Sequence, residues 1–171
     1  MKKRPTFYLA VLTLTIVASM ISWSGKAQGI NYKVHALFLY KFTQYIEWPA
    51  ANGNYVIGVV GNSPILEELQ NIAASKKNVT IKKLSPTSDL SGCQLIFVSE
   101  GSSAHLGTVS SKVNGKPVLV ISETGSGAKK GAGINFIMVD DRMKFELNKA
   151  NVERQGLKVS GDLVTLSILV G

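Results

Sequence analysis

The sequence predicts an α/β fold, in which a mostly parallel sheet carries helices on both faces and an antiparallel hairpin lies at one edge. Two observations carry this prediction. Short, almost entirely apolar runs alternate with stretches of helical periodicity, and such runs are typical of parallel strands that are buried on both faces. Further along, two strand patterns are separated only by a short acidic turn, which favours an antiparallel hairpin. The length after an N-terminal leader, about 144 residues, suits a single compact domain.

The first element is a helix predicted between Tyr32 and Trp48, because apolar residues recur there at the spacing of one helix face. Pro49 ends this helix and pushes Trp48 out of helical geometry. Strands and helices then alternate. They are predicted as strand 55–60, a helix from Pro64 with Ser63 as its cap, strand 79–84, strand 94–99, a helix over about 103–112 and strand 117–122.

The final part of the chain is predicted to form one edge of the sheet. Residues 134–139 and 143–148 form the expected hairpin around an Asp-Asp-Arg turn. Asn148 is expected to cap a short helix after the hairpin. The closing run 163–170 is ambiguous in its period, and Ser160 as a cap favours a helix there.

Residues 1–27 are predicted to be a signal peptide. A basic start, an apolar run of about 15 residues and small residues at the end, with cleavage near Ala27, fit the pattern of an exported protein. The alternative is a retained membrane anchor, but the run is shorter than the roughly 20 residues that span a bilayer. We therefore expect a periplasmic protein whose mature domain is 28–171, with no stable membrane insertion after cleavage.

Charge and cysteine content narrow the class further. Four of the 19 basic residues lie in the leader, whereas all 11 acidic residues follow it, so the net charge falls from +8 to +4 in the mature chain. The lysines are spread over turns and strand edges, which does not favour nucleic-acid binding. Cys93 is the only cysteine, so a disulfide within one chain is impossible, and its place before an apolar run predicts a buried thiol.

No catalytic, cofactor-binding or metal-binding constellation is predicted. The segment Gly125–Gly133 lacks the Lys-Ser/Thr ending and the following helix of a phosphate-binding loop, and is expected to be a flexible loop. His35 and His105 are far apart in sequence, and each is expected to be exposed or to cap a helix. A hydrolase built on Ser102 or Ser103 with His105 is a remote alternative.

Several sequence blocks, in order, carry a resemblance to a known family. They are the leader, the helix end 42–49, the strand and turn 57–65, the block 90–99, the block 131–136, and the pair 145–148 and 156–160. Together they resemble the YfiR family of periplasmic regulatory proteins.

The resemblance implies an α/β domain without enzymatic activity of its own. Its best-known member represses an inner-membrane diguanylate cyclase by holding the periplasmic sensory domain of the cyclase, which keeps cyclic-di-GMP signalling and biofilm formation low. Related proteins are encoded beside sensor kinases or are fused to them. The family's redox-sensitive behaviour relies on paired cysteines, and only Cys93 is present here.

The leading hypothesis is a regulator that binds the extracytoplasmic domain of an inner-membrane diguanylate cyclase or sensor kinase. The predicted partner-binding surface is Trp48 with Lys158–Asp162, of which Lys158 and Asp162 are the charged members, and Trp48 is equally compatible with a core position. A homodimer is left open. The alternative is a periplasmic carrier that binds a small ligand at the carboxyl ends of the strands, near Gly61, Ser99 and Ser122.

Overall fold

The computed structural model describes residues 30–49 and 53–171. The predicted signal peptide lies outside these residues. The α-helices and strands, in chain order, are α1 (Tyr32–Tyr45), β1 (Ile46–Glu47), β2 (Tyr55–Val60), α2 (Ile65–Ser75), β3 (Val79–Leu84), β4 (Leu95–Val98), α3 (Leu106–Lys112), β5 (Leu119–Ser122), β6 (Ile134–Val139), β7 (Arg142–Leu147), α4 (Lys149–Arg154), β8 (Lys158–Val159), α5 (Gly161–Leu166) and β9 (Ile168–Leu169). Two 3-10 helices cover Glu100–His105 and Gly127–Lys130.

The main sheet has the strand order β3-β2-β4-β5-β6-β7-β9. Strands β3, β2, β4, β5 and β6 are parallel, and β7 runs antiparallel to β6 in the predicted hairpin. Residues Asn31–Gly171 form one compact unit. The predicted fold class is therefore confirmed, since a mostly parallel sheet with helices and an antiparallel pair makes up a single domain.

Different helices cover the two faces of the sheet. On the first face, α1 and α2 pack on the aliphatic and aromatic side chains of the strands, and Phe42 is fully enclosed there. On the second face, α3 packs through Leu106 and Val109 against Ile96 and Val120. Burial of apolar side chains on both faces explains why the strand sequences are almost continuously apolar.

Adjacent rows across strands β5, β6 and β7 differ sharply in chemistry. Ile121, Ile134 and Leu147 lie in register on the first face, and we call them the apolar row. The neighbouring residues of these three strands lie in register on the second face. We call them the polar row: Ser122, Asn135 and Glu146. Asn135 joins the polar row, because its Oδ1 accepts from the Ser122 hydroxyl at 2.7 Å and its Nδ2 donates to Glu146 at 2.9 Å.

The first helix is shorter than predicted. The Asn31 side chain accepts from the Val34 N–H at 3.3 Å and caps the start of α1. The helix ends at Tyr45 rather than before Trp48, because Ile46 adopts extended geometry and begins β1. Pairing with a distant strand sets this boundary, and local periodicity carries no sign of it.

The glycine-rich segment is not the flexible loop that its composition predicts. It contains the 3-10 helix Gly127–Lys130, in which Gly127 and Ala128 are buried. A side chain on Gly127 would overlap the Ser122 hydroxyl and the Asn135 amide. The glycine therefore allows the backbone to lie directly on the polar row.

The closing run contains both a helix and a strand. The Ser160 hydroxyl accepts from the Leu163 N–H at 3.3 Å and caps α5, as predicted. The helix then stops, and Ile168–Leu169 forms β9, parallel to β7. The prediction of a helix is thus wrong for the last residues, and β9 rather than the hairpin forms the edge of the sheet.

Candidate functional site

A two-stranded ribbon lies outside the main sheet and joins the start of the domain to its end. In this ribbon β1 pairs antiparallel with β8, and Glu47 lies opposite Lys158. The Ser160 N–H donates to the Tyr45 carbonyl at 3.0 Å, which extends the pairing by one bond. Ile46 is buried, whereas Glu47 and Lys158 are exposed. The ribbon therefore presents a charged pair to solvent over an apolar underside.

Trp48, which directly follows the ribbon, belongs to the core. Its side chain is only 7% exposed. The indole Nε1 donates to the Gln94 carbonyl at 3.3 Å, and the ring meets Tyr55 edge-on with 5.3 Å between centroids. Of the two interpretations of Trp48, a core residue and an interface anchor, this geometry favours the core. Trp48 thus anchors the chain directly after β1 in the core.

Lys158 and Asp162, the charged members of the predicted surface, are both exposed. Asp162 lies in the first turn of α5, where its carboxylate faces the positive end of the helix. Buried Leu163 anchors this helix to the core. The ribbon thus places Lys158 beside the end of β1, and Asp162 follows on the next element. Partner binding by these residues stays a prediction.

The carboxyl ends of the parallel strands hold the residues of the alternative, small-ligand hypothesis. Ser99 donates its hydroxyl to a backbone carbonyl of β2 at 3.1 Å, and Ser122 donates to Asn135. Both hydroxyls are buried and used internally. Gly61 lines an open groove of about 470 Å³, and a side chain on Gly61 would overlap the hydroxyls of Ser99 and Ser102. Only Gly61 of the three therefore lines an open groove.

His35 occupies an unexpected position at the same end of the sheet. The side chain is 3% exposed, and its ring packs on Phe136 with 4.4 Å between centroids. Its Nδ1 is buried and has no hydrogen-bond partner among the described residues. Burial lowers the pKa of His35 to about 4. The predicted exposed or capping role is wrong, because this position faces the strands from α1.

Glu123 lies at the end of β5 and is the second unusual titratable group. Its Oε1 accepts from the Glu100 N–H at 3.2 Å, whereas Oε2 is buried and lacks a partner among the described residues. Burial raises the pKa of Glu123 to about 7. Burial, together with the negative charge of Glu123, also raises the pKa of Tyr32 on α1. Sequence reasoning missed this group, and its place directly after a buried strand was the only available signal.

Ser102 and His105, two residues of the remote hydrolase hypothesis, do not form the hydrogen bond of a nucleophile and its base in the described part of the chain. Ser102 is buried in the 3-10 helix with its hydroxyl against Gly61, whereas His105 is exposed. Among the described residues, no hydrogen bond joins their side chains. A nucleophile requires a base within hydrogen-bonding reach, and this geometry does not supply it.

The sequence matches the YfiR/HmsC-like protein family over residues 32–168, from the first residue of α1 to the first residue of β9. The chain belongs to the YfiR/HmsC-like family. The resemblance that the sequence blocks indicate is thereby confirmed. YfiR/HmsC-like proteins form a periplasmic family of regulators without catalytic function. No curated protein shows significant similarity to the chain.

Three further observations bear on what this YfiR/HmsC-like protein can do. Cys93 is buried, as predicted, and burial raises the pKa of its thiol, which disfavours the reactive thiolate. Over residues 30–49 and 53–171, no three His, Cys, Asp or Glu side chains lie close enough together to hold a metal ion. None of the helices in this described part is both long and apolar enough to cross a membrane.

Proposed function

We propose that this protein is a periplasmic, non-enzymatic regulator that binds the extracytoplasmic domain of an inner-membrane diguanylate cyclase or sensor kinase. Binding represses or modulates the output of that signalling protein by stabilising one of its conformations. Such control requires only that the regulator bind two partner states with different affinities. The single observation that carries the proposal is membership of the YfiR/HmsC-like family across the whole described domain.

The ribbon with the start of α5 is the surface that we assign to the partner. Glu47, Lys158 and Asp162 give it exposed charges of both signs, and Trp48, the residue after β1, is anchored in the core by its hydrogen bond to the Gln94 carbonyl. Charges at the edge of an interface mainly set association rate and specificity. This surface therefore suits a partner with a complementary pattern of charges.

Surface plasmon resonance can test the proposal, with the protein purified from a periplasmic extract and the isolated extracytoplasmic domains of membrane cyclases and sensor kinases from the same organism. We expect one of these domains to bind, and Lys158→Ala and Asp162→Ala each to weaken binding by up to about tenfold, equivalent to about 1.4 kcal/mol. Lys77→Ala is the matched control, because Lys77 is exposed but lies beyond α2.

Two outcomes would overturn the proposal. Failure of every such domain to bind would remove the partner class. Recovery of unprocessed protein from the cytosol would remove the compartment, since the predicted leader 1–27 would then not act in export. Equal affinity of the Lys158, Asp162 and Lys77 variants would instead move the partner surface elsewhere on the same protein.

A further inference from the structure

A polar groove lies between α3 and α4, and its lining shares no residue with the ribbon or with the Gly61 groove. It has a volume of about 330 Å³, and α3 forms one wall while α4 and the turn after the second 3-10 helix form the other. Its polar lining includes Ser110, Asn114, Lys130, Arg154 and Gln155. No acidic side chain belongs to this lining.

Arg154 is held in place before any ligand arrives. Asn151 donates its Nδ2 to the backbone carbonyls of Ala128 and Ala132 at 3.3 and 3.2 Å, which fixes the Asn151 amide on the turn. The Asn151 Oδ1 in turn accepts from Arg154 Nη1 at 3.0 Å. A guanidinium carries five N–H donors, so the remaining donors stay free to grip a planar anion.

The positive charges in the groove are not neutralised by the protein. Among residues 30–49 and 53–171, the ion pair that forms is Lys149 with Glu153, and it leaves Lys130 and Arg154 without an acidic partner. Two cations that share one concave wall attract an anion more strongly than scattered surface lysines do.

Two buried polar atoms in the walls also lack partners. Ser110 Oγ belongs to α3 and Gln155 Oε1 to the facing wall, and neither has a hydrogen bond in the described part of the chain. Ser110 packs tightly on Gly131, where an added Cβ would come within 2.9 Å of the serine hydroxyl. Unpaired buried polar atoms are costly, and a bound ligand or an ordered water can satisfy them.

We propose that this groove binds a small, hydroxyl-bearing anion, whose carboxylate or phosphate group is held by Arg154 and Lys130. The hydroxyl groups of the ligand bond to Ser110 Oγ and Gln155 Oε1, one on each wall, after rotation of these two side chains, whose polar atoms are closed to solvent in the unliganded protein. A carboxylate and a phosphate each present two oxygens that can accept paired hydrogen bonds from an arginine. The lining of this site shares no residue with the proposed partner surface.

Isothermal titration calorimetry on the full protein tests the site, with D-galacturonate as the carboxylate probe, glucose 6-phosphate as the phosphate probe and glucose as the neutral probe. We expect saturable binding of at least one anionic probe with a Kd of about 1 mM or below, weakened by added salt, and no binding of glucose. Saturation by only one of the anionic probes identifies the head group. Galacturonate and glucose 6-phosphate that both fail to saturate overturn the proposal.

Two variants and a matched control locate the binding. Arg154→Gln removes the oriented cation and is expected to weaken anion binding at least tenfold. Arg154→Lys keeps the charge but loses the planar guanidinium with its paired donors, so its affinity should lie between those of the native protein and Arg154→Gln. Lys129→Gln is the control, because Lys129 is an exposed neighbour that does not line the groove. Circular dichroism confirms that each variant is folded. Binding that is the same in the Arg154→Gln and Lys129→Gln proteins places the anion elsewhere and overturns the proposal.

Discussion

The two faces of the sheet use different means to hold the same three strands together. On the first face the apolar row packs beneath α1, where Phe42 stacks on Phe136 and meets Phe145 edge-on, with centroids 6.0 and 5.4 Å apart. On the second face the polar row is connected by hydrogen bonds through Asn135 and covered by the backbone at Gly127. Apolar contacts tolerate small shifts, but a buried hydrogen-bonded row requires every partner. Apolar side chains are buried on both faces, and the polar row adds a requirement for exact hydrogen-bond geometry on the second face.

The largest expected effect is on the first face. Phe42 is 1% exposed, so Phe42→Ala leaves a cavity between α1 and the sheet and is expected to lower the free energy of unfolding by about 3–5 kcal/mol. Chemical denaturation measures the loss. Leu37→Ala on the same helix is the control, because Leu37 is 48% exposed and its loss is expected to cost within about 0.5 kcal/mol. Equal losses in the two variants would contradict the assignment of the core face of α1.

A smaller but more specific effect is expected on the second face. Asn135→Ala removes an acceptor used by the Ser122 hydroxyl and by the Thr124 N–H, which donates to it at 3.1 Å. Each buried polar group that is left without a hydrogen-bond partner costs about 1–3 kcal/mol, so the unfolding free energy should fall by at least about 2 kcal/mol. Ile134→Val in the neighbouring apolar row is the matched control, at about 0.5–1.5 kcal/mol. A loss for Asn135→Ala no larger than that of the control would show that the polar row is dispensable.

The smallest expected effect is on the pH dependence of stability, because burial shifts the pKa of Glu123 upward and the pKa of His35 downward. Glu123 keeps its proton to about pH 7 in the folded protein, so its contribution to stability is present at low pH and is lost as the pH rises from 4.5 to 7. His35 resists protonation until about pH 4, so its contribution is present above pH 6.5 and is lost as the pH falls. The two groups therefore change the free energy of unfolding in opposite directions as the pH rises, and their effects cancel in part.

Single substitutions should reveal each slope. In Glu123→Gln only His35 of the two groups remains, and stability should rise by roughly 1 kcal/mol between pH 4.5 and 6.5, about half of the full linkage value because solvent partly screens the group. In His35→Phe only Glu123 remains, and stability should fall by a similar amount over that window. Urea midpoints at several pH values measure both. A shared pH profile for the two variants would exclude opposed titration.

Much of the fold could be predicted because local patterns decided it. The strands 55–60 and 79–84 and the cap of α4 by Asn148, whose side chain accepts from the Asn151 N–H at 3.0 Å, follow from short-range sequence signals. The end of α1 and the strand β9 depend on pairing between distant segments. Local periodicity cannot register such pairing, so both were missed.

The candidate sites were less predictable than the fold. The exposed charges of Lys158 and Asp162 follow from a family resemblance and a helix cap, whereas Arg154 and Lys130 come together only because α4 folds against the glycine-rich turn. His35 and Glu123 are unusual only through burial, and no sequence motif marks either. Side chains gathered from separate elements acquire their chemistry from the tertiary structure.

The β1–β8 ribbon closes a loop on the order of 100 residues, because it pairs β1, which follows α1, with β8, the last strand but one. Pairing two segments so far apart in sequence costs chain entropy, so we expect the ribbon to form after the intervening strands and helices. A truncated or misfolded molecule would therefore lack the very patch that we assign to its partner. Recognition through this patch would restrict signalling control to correctly matured copies.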